Sequence, residues 1–543
     1  MTHHPNPTGA PSGSPGRPAV TAPHAPTRGE IAEQDGRCFP GRSYAEAVLS
    51  PIYDSAKREL LQPMMAIHRA HLVMLAEQGL VTRESARKIL AALESIDLAA
   101  VAESHYDGRY EDLFFYVEDL TLKAAGEEAG SLHIARSRND MGVTMYRMVL
   151  RKYLLDAIEA AQLLHRVLLR FAAEEAGTVM LAHTHTQQAQ PTTLGHWLTA
   201  AADVLERDIA RLQAAYERAN RSPMGAAALS TSGFPISRER VAELLGFAGL
   251  VENSYDAIAA ADYVGEAAAA VQLAALNTGR VVQDLLLWCT QEYGALRVAD
   301  PYVQTSSIMP QKRNPVSLEH ARALLSYTAG RAQTVLQMLH NTPFGDIVDT
   351  EDEMQPNLWA ALSTLRSVFR LLANVLGTAE VNRELLLERA RASFANMTEL
   401  ADLLVREAGL PFRTAHRVVA ALVKAAEARG IRDVRQVDPG MVEEAAQQVL
   451  GRPLGVPAER LREALDPVHF VAVRTVRGGV APAEVQRMLA DREVRAAQMA
   501  AWLDAARAQL AAAEGRLNAA CRALAGAPEH RTGQAAGGEE IRR

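Results

Sequence analysis

At 543 residues the chain can bury several cores, and only 5% aromatic content beside abundant alanine, leucine, arginine and glutamate favours long helices over sheets. A net charge of −7, spread along the chain, argues against a nucleic-acid groove or a basic membrane-binding face. Three scattered cysteines (Cys38, Cys289, Cys521) make neither a disulfide framework nor a zinc site, and no apolar run reaches the ~18 residues of a membrane span.

Residues 1–40 are rich in Pro, Gly, Thr, Ser and His and carry too few large apolar groups to offset ordering entropy, so disorder is expected there. The segment lacks the apolar core of a secretory signal, and the expected address is the cytoplasm. Residues 41–138 are expected to form an N-terminal helical domain. Leu60, Met64, Ile67, His71 and Met74 recur at three- and four-residue steps, and Gly79 closes that helix. Thr82, with Glu84 and Ser85, opens the next helix, and 111–125 reads as a third. His133 to Asp140 concentrates Arg136, Ser137, Arg138 and Asn139, donors suited to a carboxylate. The plain alternative is a solvated turn ahead of a helix.

Residues 139–381 read as a central helical bundle domain. A long amphipathic helix runs from Met141 to about Glu175. His183-Thr184-His185 has the H-x-H spacing of a metal pair, but no third ligand is near in sequence and no metal is expected. Thr193 to Arg218 is helical, and a Gly/Ser-rich loop occupies Met224 to Pro235. Ala257 to Tyr293 reads as one long helix, apolar nearly all round, which belongs inside a bundle. Thr305 to Pro315 then packs Ser306, Ser307, Lys312 and Asn314 between prolines. Pro310 cannot lie inside a helix and Pro315 suits a first turn, which makes Asn314 the expected N-cap of a helix from Val316 to Leu339. A helix N-terminus beside a lysine attracts anions; the plain alternative is a capped helix behind a polar loop. With a further helix from about Met354 to Leu376, the expected fold class is all-α, built on five long central helices. Residues 382–524 read as a small C-terminal helical domain followed by a terminal helix from Pro482, and 525–543 are again expected to be disordered.

Three stretches carry a resemblance. Ser306-Ser307-Ile308-Met309-Pro310-Gln311-Lys312-Arg313-Asn314-Pro315 is similar to the signature loop of the fumarase/aspartase superfamily in its argininosuccinate lyase form. His133–Asp140 resembles that family's first motif and Thr184–Pro191 its second, and the likeness runs from about Ser50 to about Leu510. The resemblance implies a carbon–nitrogen lyase, without cofactor or metal, that removes a proton beside a carboxylate of an aspartate adduct, expels an amine and leaves fumarate. Ser306 falls at the catalytic base. His185 falls at the histidine that works near the departing nitrogen, and Glu319 at the acid paired with it. Ser137, Arg138, Asn139, Thr184, Lys312 and Asn314 fall at substrate-binding positions. The family further implies a homotetramer in which three subunits contribute to each site. His183 stands where an aromatic is usual and receives no role.

Several positions depart from the pattern that the resemblance implies. Phe114-Phe115 stand where His-Thr follows the Glu111-Asp112 pair, and Ile134-Ala135 replace Thr-Gly before Arg136. Ala259-Ala260-Ala261 replace Ser-Asp-Arg, while Gly345, Thr350 and Glu353 fall at a tyrosine, a glutamine and a lysine. By the resemblance, the fumarate-side residues are intact and the amine-side ones largely rewritten. The expected substrate is therefore an N-substituted aspartate with another amine, as for ethylenediamine-disuccinate lyase. Argininosuccinate, as in arginine biosynthesis, is the alternative, and a non-catalytic structural tetramer the second alternative.

Overall fold

The computed structural model describes residues 25–526. Of the two segments expected to be disordered, 1–24 and 527–543 lie outside the described residues. Within 25–40, a short helix α1 (Arg28–Asp35) forms because Thr27 and Glu30 make a reciprocal capping box, although none of its residues is buried.

The N-terminal region contains α2 (Leu61–Glu77), α3 (Arg83–Ser95) and α4 (Leu113–Ala125). Gly79, in the left-handed region at φ 71°, lets the chain leave α2, and the Thr82 hydroxyl accepts from Ser85 N at 3.2 Å to open α3. Ile67, Leu72, Ile89, Leu90 and Val117 close this core.

Five helices make the centre: α5 (Arg138–Glu174), α6 (Leu194–Ala219), α7 (Asp262–Trp288), α8 (Val316–Leu339) and α9 (Met354–Gly377). They pack α6 on α5, α5 on α9, α9 on α8 and α8 on α7, with α7 also against α6. Alanines at 267, 268, 274 and 275 are buried on α7, and small side chains there leave room for Leu154, Leu198 and Leu325 in the same core. The fold is all-α, and its strands are three two-stranded antiparallel ladders: β1 (Val179–Thr184) with β2 (Gln187–Thr193), β3 (Leu296–Arg297) with β6 (Glu380–Val381), and β4 (Gln304–Thr305) with β5 (Arg313–Asn314).

Two elements differ from the sequence reading. The stretch from Ala257 to Tyr293 is not one helix: Asn253 caps a short helix (Ser254–Ala259), the chain turns extended at Ala260, and α7 begins at Asp262. Nothing in Ala259-Ala260-Ala261 breaks a helix locally. The buried Ala257, Ile258 and Ala259 dock the short helix against α5, and tertiary packing overrides propensity. Asn314, in turn, is not an N-cap. Its backbone is paired with Gln304 in the β4–β5 ladder, so Pro315 takes the cap position without a side-chain bond.

After α9 come α10 (Met397–Ala408), α11 (Phe412–Ala428) and α12 (Pro439–Leu450), which bury Leu400, Leu404, Val418, Leu422 and Val442 in a core of their own. The last helix, α13 (Pro482–Ala525), leaves that core. It runs back along the bundle, where Arg492 pairs with Asp203 and Arg495 with Glu206, and its end enters the N-terminal core through Leu517, Cys521 and Leu524. Among the described residues, no helix is long and apolar enough to cross a membrane.

Candidate active site

Ser137 is the N-cap of α5, in a box closed by Asp140: Ser137 N donates to Asp140 Oδ1 at 2.9 Å and its Oγ accepts from Asn139 N at 3.3 Å. Asp140 is fully buried. Its other oxygen accepts from Gly225 N at 2.8 Å and Ala227 N at 3.0 Å, which ties the Gly/Ser-rich loop to the head of α5. Burial pushes this carboxyl up to about 6 against those three N–H groups and the Arg136 charge, which pull it down. Below the motif, Arg136 is buried and donates to His68 Nδ1 at 2.8 Å, and His71 Nε2–H donates to Ile134 O at 2.8 Å. Burial first, and the Arg136 charge second, drive both histidines far below their ordinary range, His71 to about 3, so both are neutral.

The other motif side chains meet carboxylates of the same chain. Arg138 donates to Asp112 Oδ2 at 2.8 Å and Glu111 Oε1 at 3.1 Å, and its guanidinium lies 4.7 Å from the Phe115 ring centroid. Asn139 Nδ2 donates to Asp346. Burial first, and the neighbouring Asp346 carboxyl second, hold the Glu351 carboxyl well above the usual range. Tyr146 OH donates to Asp352 Oδ1 at 3.3 Å. Arg138 is thus held by two carboxylates beside Phe114-Phe115, and three more acidic side chains, Asp346, Glu351 and Asp352, lie on the segment Gly345–Glu353.

Thr184 and His185 sit at the tip of the β1–β2 hairpin. Thr184 pairs with Gln187, leaving His185 and Thr186 as the two turn residues, with φ of 50° and 62°. Both positive values are what a two-residue type I′ turn needs, here without glycine or asparagine. The turn holds the His185 imidazole out of the bundle and exposed. His183 instead lines a cavity of about 210 Å³ with Tyr293 and Arg389.

Ser306, Lys312 and Asn314 belong to a second excursion, closed at its base by the β4–β5 ladder. Ser306 Oγ accepts from Met309 N at 3.1 Å and, more weakly, Ile308 N at 3.4 Å. Arg313 pins the base through Asp300 at 2.5 Å and Val298 O at 3.1 Å. Lys312 and Glu319 are exposed, Glu319 in the first turn of α8. Among the described residues, no hydrogen bond or ion pair joins the three motif stretches to one another, and Glu319 has no bond to His185. Nor is any group of three His, Cys, Asp or Glu side chains among them placed to hold a metal ion.

Sequence comparison matches residues 74–330 to a family described as Lyase and residues 394–472 to one described as Argininosuccinate lyase C-terminal. Argininosuccinate lyase 2 of Agrobacterium fabrum is 43% identical over 461 residues, covering 84% of this chain and 91% of that protein. The chain belongs to the argininosuccinate lyase family. As a member it is a carbon–nitrogen lyase. Argininosuccinate lyase of Methanothermobacter thermautotrophicus is 40% identical over 424 residues, 77% of this chain and 89% of the relative. Among solved structures, EDDS lyase in complex with formate superposes with a TM-score of 0.80 at 34% identity, covering 87% of this chain and 93% of that one.

Against the family pattern, the residues that sequence reasoning missed are the carboxylates at Asp346 and Asp352 and the buried acceptor Asp140. Glu111-Asp112 was legible as a pair, but its partner Arg138 was not. An acid and a base 26 residues apart carry no periodic signal, so only the fold brings them together.

Proposed function

We propose that the protein cleaves an N-substituted aspartate by anti β-elimination, releasing fumarate and an amine that is cationic or apolar in preference to arginine. The observation that carries this reading is the carboxylate surround of Arg138 and Asn139: Glu111 and Asp112 on the arginine and Asp346 on the asparagine, beside the Phe115 ring. A unit charge at about 4 Å is worth ~4 kcal/mol at an effective dielectric near 20, enough to repel arginine's own carboxylate and attract an ammonium.

In this reading Ser306 removes the proton. Two loop N–H groups already point at its oxygen, and donors of that kind stabilise an alkoxide. The carbanion survives only as a doubly charged aci-carboxylate, which Lys312, Asn314 and the N-terminal end of α8 stabilise. Ser137, Arg138, Asn139 and Thr184 hold the second carboxylate, and the substrate displaces Arg138 from Glu111 and Asp112. His185, paired with Glu319 of a neighbouring subunit, hands a proton to the leaving nitrogen. A site drawn from several chains is supported by Leu273, Leu276 and Leu287 of α7 and Leu324 and Tyr327 of α8, exposed apolar groups on the central bundle that a homotetramer covers.

The second reading, argininosuccinate as substrate, is favoured by the relatives that bear that name at 36–43% identity. Fumarate absorbance across a panel of N-substituted aspartates, argininosuccinate included, separates the two. Alkylamine and aminoalkyl adducts are expected to have the higher kcat/KM. A clear preference for argininosuccinate that Glu353→Lys leaves unchanged sinks the proposal.

A further inference from the structure

Arg136, on the turn that leads into α5, is only 7% exposed, and its guanidinium is enclosed without a counter-ion. One terminal nitrogen donates to His68 Nδ1 at 2.8 Å. The Nε is shielded from solvent and has no partner, and the Phe114 ring centroid lies 5.9 Å away. Among the described residues, Arg136 makes no ion pair. His68 and His71, buried on α2, are neutral, and burial brings the arginine down only to about 10, so it remains charged at neutral pH. Burying an unpaired charge is unfavourable, and a neutral side chain of similar shape is often the more stable choice. Stability alone does not account for a cation at this position.

Its neighbourhood supplies a reason. Asp140 is fully buried at the head of α5, where N–H groups of Ser137, Gly225 and Ala227 donate to its two oxygens. The carboxylate is the tie that fixes this turn, and it also sets a negative charge against the backbone of Ser137, beside Arg138 and Asn139. A second negative charge, on a substrate carboxylate, would be repelled there. Arg136 and Asp140 each feel the other's charge: the arginine draws the buried carboxyl down, and the carboxyl draws the arginine up. Glu118, half-buried on α4, is the other carboxylate that acts on Arg136. Where water is excluded, charges act over several ångströms with little screening by salt.

We propose that Arg136 serves the carboxylate site through its buried charge, offsetting that of Asp140 and so favouring the anion held by Ser137, Arg138 and Asn139. This rests on the reading that those three residues hold a substrate carboxylate. It does not depend on the identity of the leaving amine.

The test is calorimetric titration of the full-length protein with fumarate, together with the thermal midpoint recorded in the absence of ligand. Arg136→Gln keeps an N–H donor for His68 Nδ1 and removes the charge, whereas Arg136→Lys keeps both. Fumarate is expected to bind about tenfold more weakly to Arg136→Gln and within about threefold of wild type to Arg136→Lys. The unliganded midpoint of Arg136→Gln is expected to equal or exceed that of wild type, because a buried unpaired charge is gone. A side chain that only held the turn in shape would lower affinity and midpoint together. Fumarate affinity of Arg136→Gln within about twofold of wild type, Arg136→Lys no better than Arg136→Gln, or an Arg136→Gln midpoint that falls along with affinity overturns the proposal. Wild-type protein that binds no fumarate removes the carboxylate reading itself, and this inference with it. Failure confined to the variants leaves that reading, and the choice of amine, standing.

Discussion

Ser306 is a poor base as a free hydroxyl, and among the described residues its oxygen is held by loop amides. Ser306→Ala is therefore expected to abolish turnover in single-turnover fumarate assays while substrate binding, read by calorimetry, changes little. Retained turnover would remove the serine from its role. His185→Asn is expected to slow amines of high basicity most, since these leave poorly unless protonated. Losses that are equal across leaving groups reject His185 as the donor. The buried histidines give a pH prediction. His68 and His71 are neutral in the native state, with folded values below the ordinary one of about 6.5, so their contribution to stability is complete above that value. As pH falls below about 6.5, toward 3 for His71, the unfolded chain takes up protons that the native chain refuses, and stability drops by up to about 1.4 kcal/mol per pH unit for that histidine, with His68 acting in the same direction. Denaturant midpoints followed over that range are expected to fall less steeply in His68→Gln/His71→Gln. A parallel slope would show that neither is neutral in the fold. None of this pairing was readable in sequence: His71 shows there only as one step of a helical period, while its partner Ile134 O lies 63 residues on.

Elements were legible where a local signal bounds them. Pro315 sets the start of α8, and the predicted span from Val316 to Leu339 is the observed one, even though the expected cap at Asn314 is a ladder residue. The break before α7 had no such signal, because packing alone imposes it. Close approach between elements is equally invisible. Gly195, in the first turn of α6, lies so near the end of α5 that a Cβ there would sit 2.5 Å from Ala172 O and 2.6 Å from Ala176 Cα. Both are backbone atoms and cannot step aside. Gly195→Ala is expected to cost about 1–3 kcal/mol and to lower the thermal midpoint accordingly. A midpoint equal to wild type would mean that α5 and α6 slide apart at no cost.

On the scale of the whole molecule, the three motifs lie on separate excursions without a bond between them, and the proposed site is shared among chains. With an adduct of a strongly basic amine, which neither Ser306→Ala nor His185→Asn chains are expected to turn over well alone, the two unfolded together and refolded are then expected to regain activity, up to about one quarter of wild type at equal mixing. A mixture as inactive as its parts would show that each chain builds its own site. Fold class was readable from composition and period because five long apolar stripes admit few arrangements; the return path of α13 was not. Its last turns supply Leu517, Cys521 and Leu524 to the core of Leu61, Met64 and Ile89, and Asn518 accepts from Arg69 at 2.6 Å. On the ribosome, then, the core of Leu61, Met64 and Ile89 is made well before the helix that finishes it. Its groove for α13 waits, uncovered, through the synthesis of roughly four hundred residues, and a premature stop within α13 leaves that distant core exposed rather than merely shortening a helix.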